Sequence, residues 1–167
     1  KLAPDNYIAK ISFGGDEYCL ESSVQTFVVV EKATSKLTAN SVETTHGENK
    51  DLIITLTDGD NHPIANATVT VNLNGNKNYT TDKNGQITIP TANLTPNNYT
   101  VKIKYGENDY YAGSSIETMV LIAKSASKLT ANNVTATYNV NENLIISLKD
   151  SDGNPIQNIS VSVDLGS

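Results

Sequence analysis

The chain has 167 residues, 38% of them hydrophobic and 18% charged, with a net charge of −6. That balance suits a folded protein and gives nucleic acid or an anionic membrane nothing to attract. One cysteine, Cys19, excludes an internal disulfide framework and a cysteine-built metal knuckle, and no apolar run reaches the roughly 18 residues of a membrane span. No signal peptide precedes Lys1, as in a mature or excised fragment. In chain order, the first phrases are LAPDNY (2–7) and SFGGDEYCLESS (12–23), both turn-like and rich in Pro, Gly, Asn or Asp.

The next segments show the alternation of half-buried strands. Leu52, Ile54 and Leu56 alternate in DLIITLT; Val69, Val71 and Leu73 do so in ATVTVNL. Ile87 and Ile89 follow, then Tyr99, Val101, Ile103 and Tyr105 in NYTVKIKY, then the run ETMVLIAK. Between them stand DGDNHP, DKNG and LTPNN, composed of residues that tolerate tight turns. Six to eight short strands without helical periodicity predict an antiparallel β-sandwich. The phrases LTPNNY and LAPDNY predict tyrosine corners, with Tyr99 and Tyr7 turning their hydroxyls back onto nearby backbone.

Shifting the chain by 92 residues superposes it on itself. SKLTAN recurs at 35–40 and 127–132, DLIITLTDGDNHPIAN at 51–66 returns as NLIISLKDSDGNPIQN at 143–158, and 34 of 75 ungapped pairs are identical. This is an internal duplication, with a period suited to one small sandwich domain rather than a solenoid unit. It divides the chain into the C-terminal part of one repeat (1–33), a complete repeat (34–124) and the N-terminal part of the next (125–167). Both partial units lack a counterpart of 76–92. The chain therefore reads as a window from a longer tandem array rather than as ends that complete each other between neighbouring chains.

The unit runs G-x-x-L-x-x-x-L-x-D-x-x-x-x-P-I-x-N-A-x-V from Gly47 to Val69. It continues with T-D-x-N-G (Thr81 to Gly85), L-x-P-x-x-Y (Leu94 to Tyr99) and Y-G-x-x-x-Y-x-x-S-S (Tyr105 to Ser115). In this order the phrases resemble the bacterial Ig-like repeats (group 3) of surface adhesins. They are especially similar to the long adhesin-like surface proteins of methanogenic archaea. The resemblance implies tandem immunoglobulin-like domains at an extracellular cell surface. Two positions depart from it: where such repeats carry glycine, this chain has Asn97 or Asn98 in one turn and Glu107 in a loop.

Chemistry is sparse. His46 and His62 align with Tyr138 and Asn154, so no role common to the repeats rests on them, and no catalytic residues are assigned. DGDN (58–61) and DSDGN (150–154) space carboxylates as calcium loops do, but no bidentate Glu follows. They read as turns first, with calcium at a domain junction as the second reading and no metal ligands or cofactor assigned. Cys19 and Gln25 suggest an internal thioester, yet align with Tyr111 and Glu117; Cys19 reads as a tolerated loop cysteine. Isopeptide or ester crosslinks need a buried Lys or Thr beside a carboxyl, which sequence does not locate. Of six N-x-S/T sequons, Asn66, Asn78, Asn98, Asn133 and Asn158 are the glycosylation candidates, and Pro96 makes Asn93 a poorer one. Tyr110 aligns with Tyr18 and is expected to anchor packing, while the variable Tyr111 is the candidate ligand contact.

The reading that follows is a non-enzymatic, extracellular stalk or spacer. Its partners are neighbouring Ig-like repeats of the same or identical chains, and cell-surface glycans, with no nucleic acid and no membrane insertion. The alternatives are a subunit of a filament, sheath or surface layer joined through β-strand contacts, and a carbohydrate-binding module. The junction IAKSASKLTAN has no Gly or Pro and is expected to be stiff.

Overall fold

The alternating segments become strands where another strand lies beside them to take up their backbone hydrogen bonds. A computed structural model describes residues 2–166, and the described residues are all-β without a helix. The strands are β1 (Asp5–Phe13), β2 (Ser22–Val30), β3 (Ser35–Ala39), β4 (Val42–Thr45), β5 (Asp51–Asp58) and β6 (Thr68–Asn72). After them come β7 (Asn76–Thr80), β8 (Gln86–Pro90), β9 (Asn97–Tyr105), β10 (Ser114–Ala123), β11 (Ser127–Ala131) and β12 (Ile146–Asp150).

Strands β3 to β10 build an immunoglobulin-like sandwich. One sheet has the order β3-β5-β8; the other has the order β4-β10-β9-β6-β7. Every pair is antiparallel except β4 with β10, which is parallel. The two inner faces share one core. Leu37, Leu52, Ile54, Leu56, Ile87 and Ile89 come from the first sheet, and Val42, Val69, Val71, Val101, Ile103 and Val120 from the second. The period-two reading thus placed the right side chains inside in β5, β6, β8 and β9.

Three strands escaped that reading. β3 and β4 are one run, SKLTANSVETT, split between the sheets at Asn40, and each piece is too short to display a period. The Asn40 side chain makes the switch by accepting from Ile53 N at 2.7 Å and donating to Asp51 O at 3.1 Å. β7, NKNYT, is an exposed edge strand with no apolar alternation. The LTPNN turn also differs from expectation. Asn97 and Asn98 already belong to β9 and neither has a positive φ, because the bend is completed upstream by the Leu94 N to Thr91 O bond.

Outside the sandwich, β1 pairs with β2 alone, and β11 with β12 alone. The 92-residue shift makes β1 and β2 the counterparts of β9 and β10. It makes β11 and β12 those of β3 and the end of β5. Residues 134–137 and 160–164, the counterparts of β4 and β6, form no strand. Val69 is fully buried in β6, whereas its counterpart Val161 is 40% exposed. The junctions are tied down. Ala33 exchanges backbone bonds with Tyr110 O and Ala112 N, and Ser125 Oγ donates to His46 O.

Candidate functional site

The two tyrosine corners close as the sequence reading expects. Tyr99 Oη donates to Thr95 O at 2.9 Å, and Tyr7 Oη to Ala3 O at 2.8 Å. Tyr99 also packs against the core, which fixes the start of β9.

The loop between β9 and β10 carries the candidate ligand contact. Asn108 Oδ1 accepts from the Tyr110 and Tyr111 amides, as Asp16 Oδ1 does from Tyr18 and Cys19 in the upstream copy. An Asx turn therefore shapes both loops. The assignment of the two tyrosines is reversed from expectation. Tyr110 is 58% exposed and Tyr18 still more so, hence neither anchors packing. Tyr111 is half-buried against the core, because its backbone bridges to Ala33 and turns its ring inward. Beneath it lies Tyr105, buried, with a hydroxyl that has no partner. Desolvation, and then the neighbouring Tyr111, push the Tyr105 phenol above its ordinary pKa.

The DGDNHP turn gathers more than its carboxylate spacing suggests. Asp58, Asp60 and His62 each place a potential ligand atom within 4.8 Å of the others. Asp58 Oδ1 is already engaged by the Asp60 and His62 amides, at 2.9 Å each, and Asp58 Oδ2 faces His62 Nδ1 at 3.3 Å. The second copy repeats the scheme. Asp150 Oδ1 accepts from Asp152 N and Asn154 N, and Asn154 Nδ2 donates to Asp150 Oδ2 at 3.2 Å. The feature common to both is a donor closing onto the aspartate. An amide nitrogen serves that purpose but is no metal ligand. These bonds, led by those from the His62 and Asn154 amides, hold both carboxyls below the ordinary aspartate pKa.

His46 sits apart from this group: its Nδ1 donates to Leu94 O at 3.0 Å and its amide to Ala123 O. Cys19 is exposed in the β1–β2 loop, while Gln25 lies opposite Lys10 in mid-strand. The one buried Thr beside a carboxylate is Thr44, which donates to Glu48 Oε2 at 2.9 Å, among the described residues. That bond, then the Thr45 amide, lowers the Glu48 pKa and keeps it ionised, a poor acyl donor for an ester. The buried polar side chains are threonines; no lysine is among them. All five sequon asparagines are exposed, and Asn66 and Asn158 share a left-handed turn, with φ of 55° and 59°.

The outer face of the five-stranded sheet holds a shallow polar groove of about 600 Å³, lined by Thr70, Lys102, Lys104 and Glu117. Lys102 and Glu117 form an exposed ion pair across it at 3.5 Å. No described helix is long and apolar enough to cross a membrane.

No curated protein matches the chain. Residues 51–121, which is β5 through most of β10, match the family model of the macroglobulin domain MG4, a domain of secreted macroglobulin-type proteins. Over that stretch the central unit is similar to MG4, and its fold is an Ig-like β-sandwich.

Proposed function

We propose that this chain is part of an extracellular surface protein in which Ig-like domains, joined end to end, serve as a stalk that carries tension. The observation behind this reading is the parallel pairing of β4 with β10, Val42–Thr45 against Val120–Ala123. Tension enters the unit through β3 and β4 and leaves through the C-terminal end of β10. In a parallel pair these pulls act along the strands in opposite directions, so the ladder is loaded in shear and its bonds must fail together. The duplication and the Gly- and Pro-free junction support the same role, because each repeat passes strand to strand into the next. The adhesin-like and archaeal assignments rest on the resemblance of the repeat phrases. On a surface that glycosylates, Asn66, Asn78, Asn98, Asn133 and Asn158 would carry glycans.

The test is to pull the chain between its ends and to probe it against a glycan array. One high-force rupture is expected, releasing roughly 300 Å of contour, and Thr44→Pro in β4 should lower that force. No saturable glycan should bind. Gradual extension at low force overturns the stalk. Saturable binding lost in Tyr111→Ala favours the carbohydrate-binding reading instead.

A further inference from the structure

The β1–β2 hairpin has two bare edges and one bare apolar face, and the complete unit shows what covers their counterparts. There the matching hairpin, β9–β10, lies between β6 and β4. The counterparts of β6 and β4 are residues 160–164 and 134–137 of this same chain, and neither has found a strand partner. The burial difference follows the missing contact: Ile103 is 1% exposed in β9 and its counterpart Ile11 56%, while Leu37 is 4% exposed in β3 and its counterpart Leu129 56%.

We infer that the β1–β2 hairpin of one copy inserts between residues 134–137 and 160–164 of a second copy, joining chains head to tail through a composite sandwich. The register is fixed by the complete unit. Val69 opposite Tyr105 and Val71 opposite Ile103 become Val161 opposite Phe13 and Val163 opposite Ile11. Val42 beside Val120 becomes Val134 beside Val28. One pair has changed in a way that suits a joint between copies. Asn72 opposite Lys102 becomes Asp164 opposite Lys10, an opposite-charge cross-strand pair. The absent counterpart of 76–92 does not forbid the joint. In the complete unit that stretch supplies β7 and β8, and each is the outermost strand of its sheet. The composite keeps the strand order 134–137, β2, β1, 160–164, with β11–β12 across the core. Strand addition to a bare edge supplies the backbone bonds, and the alternating apolar side chains supply register.

This inference rests on the duplication and not on the stalk reading, so the two fail independently. Thr70 opposite Lys104 places Ser162 of one copy opposite Ser12 of the next. Two chains, Cys19→Ser/Ser12→Cys and Cys19→Ser/Ser162→Cys, are mixed under mild oxidation. A disulfide-linked pair containing one of each is expected, several-fold above the yield with Cys19→Ser/Ser23→Cys, whose thiol lies one strand further off. A single chain carrying both Ser12→Cys and Ser162→Cys on Cys19→Ser should give a ladder of multimers. Asp164→Lys should weaken the ladder and Lys10→Asp restore it, with thermal unfolding of the central unit unchanged. Cross-linking no better than the control, or a ring closed within one chain, overturns the proposal. So does a purely monomeric unmutated chain by sedimentation at every concentration tested.

Discussion

Tyr105 and Asp58 show how much single residues of the central unit depend on distant or merely local partners. The Tyr105 hydroxyl is buried without a hydrogen bond, and the upstream copy has Phe13 at that position. An unsatisfied buried hydroxyl costs free energy that its removal recovers. Tyr105→Phe is therefore expected to stabilise the unit by about 1 kcal/mol, read by denaturant unfolding. Asp58 depends only on its neighbours in the turn. Its folded pKa lies below the ordinary value near 3.8, so the unfolded chain takes up the proton first as pH falls. The contribution to stability is thus complete above the ordinary value and is lost as pH drops through the folded one. NMR titration of Asp58 should give a depressed midpoint, and Asp58→Asn, which still accepts the amides, should flatten the acid-side loss. The turn was legible in the sequence because its bonds span four residues. The Tyr110 and Tyr111 assignment was not, because the inward ring is selected by Ala33, far away along the chain.

At the scale of elements, sequence pattern proposes a strand and a neighbouring strand makes it. TVTVN forms β6 between β7 and β9, whereas SVSVD at 160–164, with the same alternation, forms none. The same contrast holds for Leu52 in β5 and its counterpart Leu144, since Leu52 is fully buried and Leu144 is exposed. Leu52→Ala should cost the unit about 3 kcal/mol through lost transfer energy and the cavity left behind. Leu144→Ala should leave the same thermal transition in place, and calorimetry of the two variants decides the point. Equal losses would mean that the C-terminal segment shares the central core. β3, β4 and β7 were invisible in advance for related reasons. The first two change sheets before any period can develop, and the last has one side of its ladder open to solvent, where apolar alternation gains little.

For the whole molecule, the duplication matters more than any side-chain constellation. The single group of potential ligands among the described residues lies in a turn whose counterpart substitutes an amide for the imidazole. No role shared by the repeats can rest on a metal there. The unit instead offers mechanical features: a parallel first-to-last strand pair, a short junction bonded to its neighbours, and bare edges that match segments at the other end of the chain.

The sequence alone determined the all-β class, the 92-residue repeat, the core faces of β5, β6, β8 and β9, and both tyrosine corners. Each of these is local or periodic, so the residues that encode it stand close together or at a fixed spacing. Only the tertiary structure decided the sheet order, the parallel β4–β10 pair, which tyrosine of the β9–β10 loop turns inward, and which of two equivalent segments becomes a strand. All of those depend on partners tens of residues away, because a backbone edge becomes a strand only when another edge takes up its hydrogen bonds.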